Sequence, residues 1–206
     1  MSGGLQPLTG LSLERAPAIC HDCVFWQSYG YKDESKTRWS RDIEHDWGSW
    51  GTLYHDSGGR LIGFLQFGPA GHFPRAHRLP AGPPSADAIL VTCGYVVDES
   101  TPWVLQSLFL SAIGEARDRG VSAIEAFAYR QVEDAPSRAQ FRPHRTIFPT
   151  AFVADLGFAP IRTEGRVELS RLEVAALTPL VAEGWRRRIA RRLQPRAEPA
   201  PVPQRP

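Results

Sequence analysis

Apolar positions change their period along this chain, and the changes mark out its elements. In DAILVTCGYVV, from position 87 to 97, apolar residues are nearly continuous, the pattern of a strand buried on both faces. Leu105, Leu108, Phe109, Ala112, Ile113 and Ala116 then recur at helical spacing. Thr101 suits the N-cap of that helix, and Pro102 its first position, where a missing N–H costs nothing. Gly120 supplies the stop, and SAIEAFAY follows as a second strand. A strand, a crossover helix and a strand predict a right-handed βαβ unit with parallel strands.

Around this unit the pattern is weaker. GTLYHD and RLIGFLQF, joined by SGG, predict a hairpin. Helical pieces are expected around 22–30 and 36–47, within a stretch that holds Phe25, Trp26, Trp39, Trp47 and Trp50. GPAGHFPRAHRLPAGPPS is too rich in Gly and Pro for regular structure and predicts a long loop, a candidate wall for a substrate site. Beyond SAIEAFAY come a charged loop (130–146), a short helix near 149–156, and two strands, FAPIRT and RVELSRL. Thr178 and Pro179 repeat the capping signal, and Leu177, Val181, Trp185, Ile189 and Leu193 recur every four residues, predicting a last helix crowded with arginines. The expected organisation is a loose segment over 1–18, a main domain over 19–173, a basic amphipathic helix over 174–194 and a Pro-rich disordered tail over 195–206.

Composition removes function classes more than it selects one. The 206 residues are 42% hydrophobic and 22% charged, enough for one domain with a sizeable core. A net charge of +2 gives no basic surplus, so neither nucleic acid nor a membrane surface is expected as a partner. The start lacks a basic region followed by a long apolar run, and no apolar segment reaches the roughly 20 residues that span a bilayer. Cys20, Cys23 and Cys93 form an odd set, which argues against a disulfide framework and for a reducing, cytoplasmic setting.

The order helices, hairpin, strand, helix, strand, helix, hairpin resembles the GNAT N-acetyltransferases over roughly residues 20–173. Its most specific pieces are the GYVV–helix–RGVSAIEAF block and the ADLGF turn. CHDCVFWQ, FPRAHRLPAGPPSADAIL and RGVSAIEAF together look like an actinobacterial group of that superfamily. The resemblance implies an α/β (α+β) fold: a mixed central sheet of about six to seven strands, flanked by helices and splayed at two central parallel strands. It also implies acetyl-CoA in the cleft and direct transfer of its acetyl group to an amine on a small molecule or a protein. By the same resemblance Tyr95, Val96 and Val97 lie where a backbone amide holds the thioester carbonyl. Trp103, Val104 and Leu105 lie where helix-start amides face the pyrophosphate, a placement that the helix dipole also favours.

The chain departs from the family at two places. The phosphate loop, usually Gln/Arg-x-x-Gly-x-Gly/Ala, reads DESTPWVL from Asp98 to Leu105, with no glycine and two carboxylates. The family's usual acid, a tyrosine just before the Gly-Phe turn, corresponds to Val153. Tyr95, Tyr129 and His144 stand as substitutes. Glu125, mid-strand among apolar residues, reads either as a general base with a raised pKa or as a carboxylate paired with an arginine. Two functions therefore stay open: an acetyltransferase, or a binding or regulatory protein on the same scaffold.

CHDC is half of a zinc site at most, because structural zinc takes four ligands, so no metal is expected. The basic terminal helix permits contact with an acidic surface, nucleic acid or membrane, but packing on the domain or on a second copy in a homodimer is the commoner outcome and the one expected.

Overall fold

Seven strands make the main path of the sheet, in the order β1 (Gly4–Pro7), β2 (Gly51–His55), β3 (Leu61–Pro69), β4 (Ala88–Val96), β5 (Ala123–Tyr129), β9 (Val167–Glu173) and β8 (Ala159–Glu164). Two further strands of two residues each, β6 (His144–Arg145) and β7 (Phe148–Pro149), pair with β4 and β5. Three α-helices accompany them: α1 (Lys36–Asp46), α2 (Pro102–Asp118) and α3 (Thr150–Asp155). The structure is a computed structural model and describes residues 4–29, 35–98, 102–130 and 144–175. The Thr101 cap and the helix and tail expected beyond 175 lie outside the described residues.

The central unit follows its apolar pattern. Strand β4 runs antiparallel to β3 and parallel to β5, with α2 as the crossover. Val104, Leu108, Phe109, Ala112 and Ala116 of α2 are fully buried, one per helical turn or nearly so. Each large side chain of this kind contributes about 1.5–3 kcal/mol by leaving water. The helix can lie close because Gly63 faces it: a Cβ at that position would stand 2.4 Å from Val104 Cγ1 and 3.0 Å from Leu108 Cδ1. Phe109 then gathers Phe148, Phe152 and Phe158 edge-on at ring separations of 4.8, 5.3 and 6.0 Å.

The tryptophan-rich stretch supplies the other core. Trp39 meets Trp50 edge-on at 4.9 Å, and Trp26 stacks on Phe127 of β5 at 6.1 Å. These aromatics are core residues. Of the two helical pieces expected there, only 36–46 is an α-helix; the other region holds a 3₁₀ turn at Ala18–Cys20 and turns beyond it.

Two expectations need correction. Residues 4–16 are ordered rather than loose. Gly4–Pro7 pair with β2, Leu8 is fully buried, and Leu8 N–H donates to Gly51 O at 2.8 Å. A single apolar anchor and a free sheet edge outweigh a polar, Gly/Pro-rich composition. The end of the charged loop is also structured, because β6 and β7 fill the gap between β4 and β5. Among the described residues, no helix is long and apolar enough to cross a membrane.

Candidate functional site

The two parallel strands at the centre of the sheet separate partway along. β4 and β5 pair from Ala88–Ala123 to Val91–Ala126 and then diverge. A splay of this kind exposes backbone edges on both strands, and each exposed group must find a partner. Here the chain supplies the partners itself. Gly94 and Tyr95 of β4 pair with Arg145 and His144, antiparallel. Ala128 and Tyr129 of β5 pair with Phe148 and Pro149, parallel. Between the two short strands the chain therefore crosses the gap and closes it. The plug is apolar as well as hydrogen-bonded: Phe148 is fully buried, and a Cβ at Gly94 would stand 3.0 Å from both Phe148 Cε1 and Leu105 Cδ1.

The residues singled out from the sequence fall at different places on this cleft. Tyr95 is half-buried on β4, across from Phe64 on β3 and His144 on β6. Val96 is buried opposite Gly63, and Val97 is exposed with its N–H donating to Ile62 O at 3.1 Å. Trp103, at the start of α2, is partly exposed and meets Tyr54 edge-on at 5.7 Å. The side chains of Val104 and Leu105 point into the core, so only their first-turn amides face outward from the helix start. Tyr129 stands at the open end of β5, where its hydroxyl accepts a hydrogen bond from Arg145 Nη1 at 3.2 Å.

Glu125 lies elsewhere, in the stretch where β4 and β5 still pair, opposite Leu90. It is fully buried. Its Oε1 accepts from Arg171 Nη1 at 3.2 Å and its Oε2 from the Ser85 N–H at 2.9 Å. Of the two readings of Glu125, the ion pair is therefore the one present. The arginine comes from the neighbouring strand β9. Arg171 also holds Asp87 and Glu173, and its guanidinium is raised above its ordinary pKa chiefly by the hydrogen bond to Asp87. The same bond holds the Asp87 carboxyl below the usual range. Val153, in the family's acid position, is buried in α3.

One carboxylate near the cleft escaped the sequence reading. Glu168 on β9 is buried opposite Ala128, paired with Arg130, and accepts from Thr150 Oγ1 at 3.2 Å. The alternation of RVELSRL was the available signal, but β8 carries no matching inward face to set its phase. Among the described residues, no group of three or more His, Cys, Asp or Glu side chains is arranged to hold a metal.

The cleft fits the acyl-CoA of the resembling family at one end only. Helix-start amides stand beyond the carboxyl end of β4, as a pyrophosphate requires. The backbone edges on which an extended donor chain would lie are occupied by His144, Arg145, Phe148 and Pro149, and the loop 98–105 has no glycine for a close approach. The described residues do not fit that group.

No family model and no curated protein matches the chain. Solved structures do. The PaiA N-acetyltransferase of Thermoplasma acidophilum, in complex with coenzyme A, superposes with a TM-score of 0.50 at 14% identity, covering 84% of this chain and 99% of that one. An N-acetyltransferase from Staphylococcus aureus gives 0.49 at 14% identity over 84% and 99%. A GCN5-related N-acetyltransferase from Kribbella flavida gives 0.43 at 14% identity over 84% and 98%. The mixed sheet flanked by helices is thus the fold of the GNAT N-acetyltransferases.

Proposed function

We propose that this chain is a binding or regulatory protein on a GNAT scaffold, one that does not transfer acetyl groups from acetyl-CoA. The observation that carries this is the double pairing of residues 144–149 across the splay, which leaves neither β4 nor β5 a free edge at Gly94–Tyr95 or Ala128–Tyr129. The glycine-free loop, the carboxylate of Asp98 and the buried Val153 agree with it.

A second reading is favoured by the fold itself, which is shared with an N-acetyltransferase in complex with coenzyme A. It makes the chain an N-acetyltransferase that uses acetyl-CoA and an amine acceptor, small molecule or protein, in the cytoplasm. Titration with acetyl-CoA under thermal denaturation separates the two. A ligand at 100 times its Kd stabilises a fold by about 2.7 kcal/mol. The binding-protein reading expects no shift at millimolar acetyl-CoA. A saturable shift, with acetyl transfer to any amine in a panel, overturns it in favour of the enzyme.

A further inference from the structure

All three cysteines of the chain converge on one buried lysine. A small pocket with room for about one water is lined by Cys20, Cys23, Cys93, Lys36, Gln66 and Trp26 among others. Lys36 is buried at the start of α1, an unusual place for a lysine. Its Nζ donates to Gln66 Oε1 at 2.9 Å and lies 4.3 Å from the centre of the Trp39 ring and 5.0 Å from that of Trp50. The Trp26 indole N–H is buried and has no hydrogen-bond partner among the described residues. The pocket thus sets one amine, two amides and three thiols inside a largely apolar, aromatic core.

The three thiols are free and differ in access. Cys93 is buried in β4, Cys20 is buried at the end of a 3₁₀ turn, and Cys23 is half-buried. Cys20 and Cys23 are three residues apart across a turn, with His21 in the right-handed helical region between them. A Cys-x-x-Cys spacing of this kind is the one that redox-active thiol pairs use. The set is not arranged to hold a metal, and a lysine cation already stands among the sulfurs.

We propose that Cys20 and Cys23, with Lys36 beside them, form an oxidant-responsive site that takes a hydroperoxide as its substrate. The Cys23 thiolate attacks one peroxide oxygen, the O–O bond breaks, and hydroxide leaves, taking up a proton as water. The Cys20 sulfur then displaces hydroxide from the Cys23 sulfenic acid, and this leaves as a second water. Two thiols are oxidised to one disulfide, and one hydrogen peroxide is reduced to two waters. Access decides the order: Cys23 meets the oxidant, whereas burial pushes the Cys20 thiol up to about 11, with Lys36 opposing the rise. Cys93, deepest in the strand, takes no part.

Intact-mass analysis of the full chain, treated with hydrogen peroxide and then alkylated under native conditions, tests this. The expected product has lost two hydrogens, maps to a Cys20–Cys23 peptide and is restored by a thiol reductant. Cys20→Ser should stop at a sulfenic acid on Cys23 that dimedone traps, Cys23→Ser should stay unmodified, and Cys93→Ala should react like the natural chain. Lys36→Met should slow disulfide formation, because the cation beside Cys20 opposes the burial that holds its thiol protonated. Pairing through Cys93, a gain of oxygen bridging Lys36, a disulfide between two chains, or no change under peroxide excess would each overturn the proposal.

Discussion

Arg171 Nη1 stands 3.2 Å from Glu125 Oε1, and the contact joins the last strand of the sheet to the middle one. It is an asymmetric partnership. Arg171 keeps Asp87 and Glu173 when Glu125 is neutralised, whereas Glu125 is fully buried and meets no second cation among the described residues. Arg171→Met should therefore cost about 3–5 kcal/mol, the usual penalty for stranding a buried charge. Glu125→Gln keeps an oxygen for the Ser85 N–H and should cost less. Urea unfolding of the two variants checks the order; equal losses would mean that Glu125 is stabilised by something other than this arginine.

Lys36 makes stability depend on pH in an unusual direction. Burial lowers its pKa to about 8, below the value near 10.4 of an unfolded lysine. Below pH 8 the amine is charged in both states, and the folded state carries the full penalty of burying it, about 3 kcal/mol. As pH rises from 8 toward 10.4 the unfolded chain holds more protons, so this penalty is relieved and stability gains. Thiol ionisation works the other way above pH 9, because burial raises Cys20 to about 11 and also raises Cys93. The window to examine is thus pH 7 to 9. Lys36→Met should be more stable than the natural chain at pH 7, and that advantage should shrink by about 1.4 kcal/mol by pH 9, the effect of one unit of linkage. An advantage independent of pH would contradict the assigned cause.

Gly63 sets how close α2 lies to the sheet. A methyl group there would stand 2.4 Å from Val104 Cγ1, on a fully buried side chain with nowhere to retreat. Gly63→Ala should cost about 1–3 kcal/mol by overpacking. Gly114, on the same helix, has nothing within 4 Å of its would-be Cβ, so Gly114→Ala should be stabilising through the helix propensity of Ala, by up to about 1 kcal/mol. Melting curves of the pair test the contrast between a glycine required by packing and one that is not.

Phe148 holds the plug in the cleft. Phe148→Ala should destabilise by about 3–5 kcal/mol, since the ring is fully buried and meets Phe109 edge-on. Amide hydrogen exchange at Gly94, Tyr95, Ala128 and Tyr129 should rise more than exchange at Leu90 or Ile124. A uniform rise would show that the plug and the sheet open together.

What was legible in the sequence was whatever a periodic apolar pattern encodes. Strand β4, helix α2 and strand β5 each carry a face of side chains whose spacing fixes the element. The closure of the cleft was not legible, because β6 and β7 have two residues each, too few for any period, and exist only because two splayed strands leave edges to pair. Glu125 looked equally suited to proton transfer and to an ion pair; only the register that sets it against Arg171 decides which is present. The gathering of Cys20, Cys23 and Cys93 around Lys36 was hidden for the same reason, since it joins a 3₁₀ turn, a helix start and a strand that are distant in sequence.

The order of the sheet has a consequence during synthesis. β5 lies between β4 and β9, and its pairing with β9 runs from Ala123–Glu173 to Tyr129–Val167. Until residue 173 has left the ribosome, β5 is an open, apolar edge and Glu125 lacks its cation. The chain therefore commits to its fold late, and the interval before β9 arrives is when a nascent molecule is most exposed to pairing with a neighbour instead of with itself.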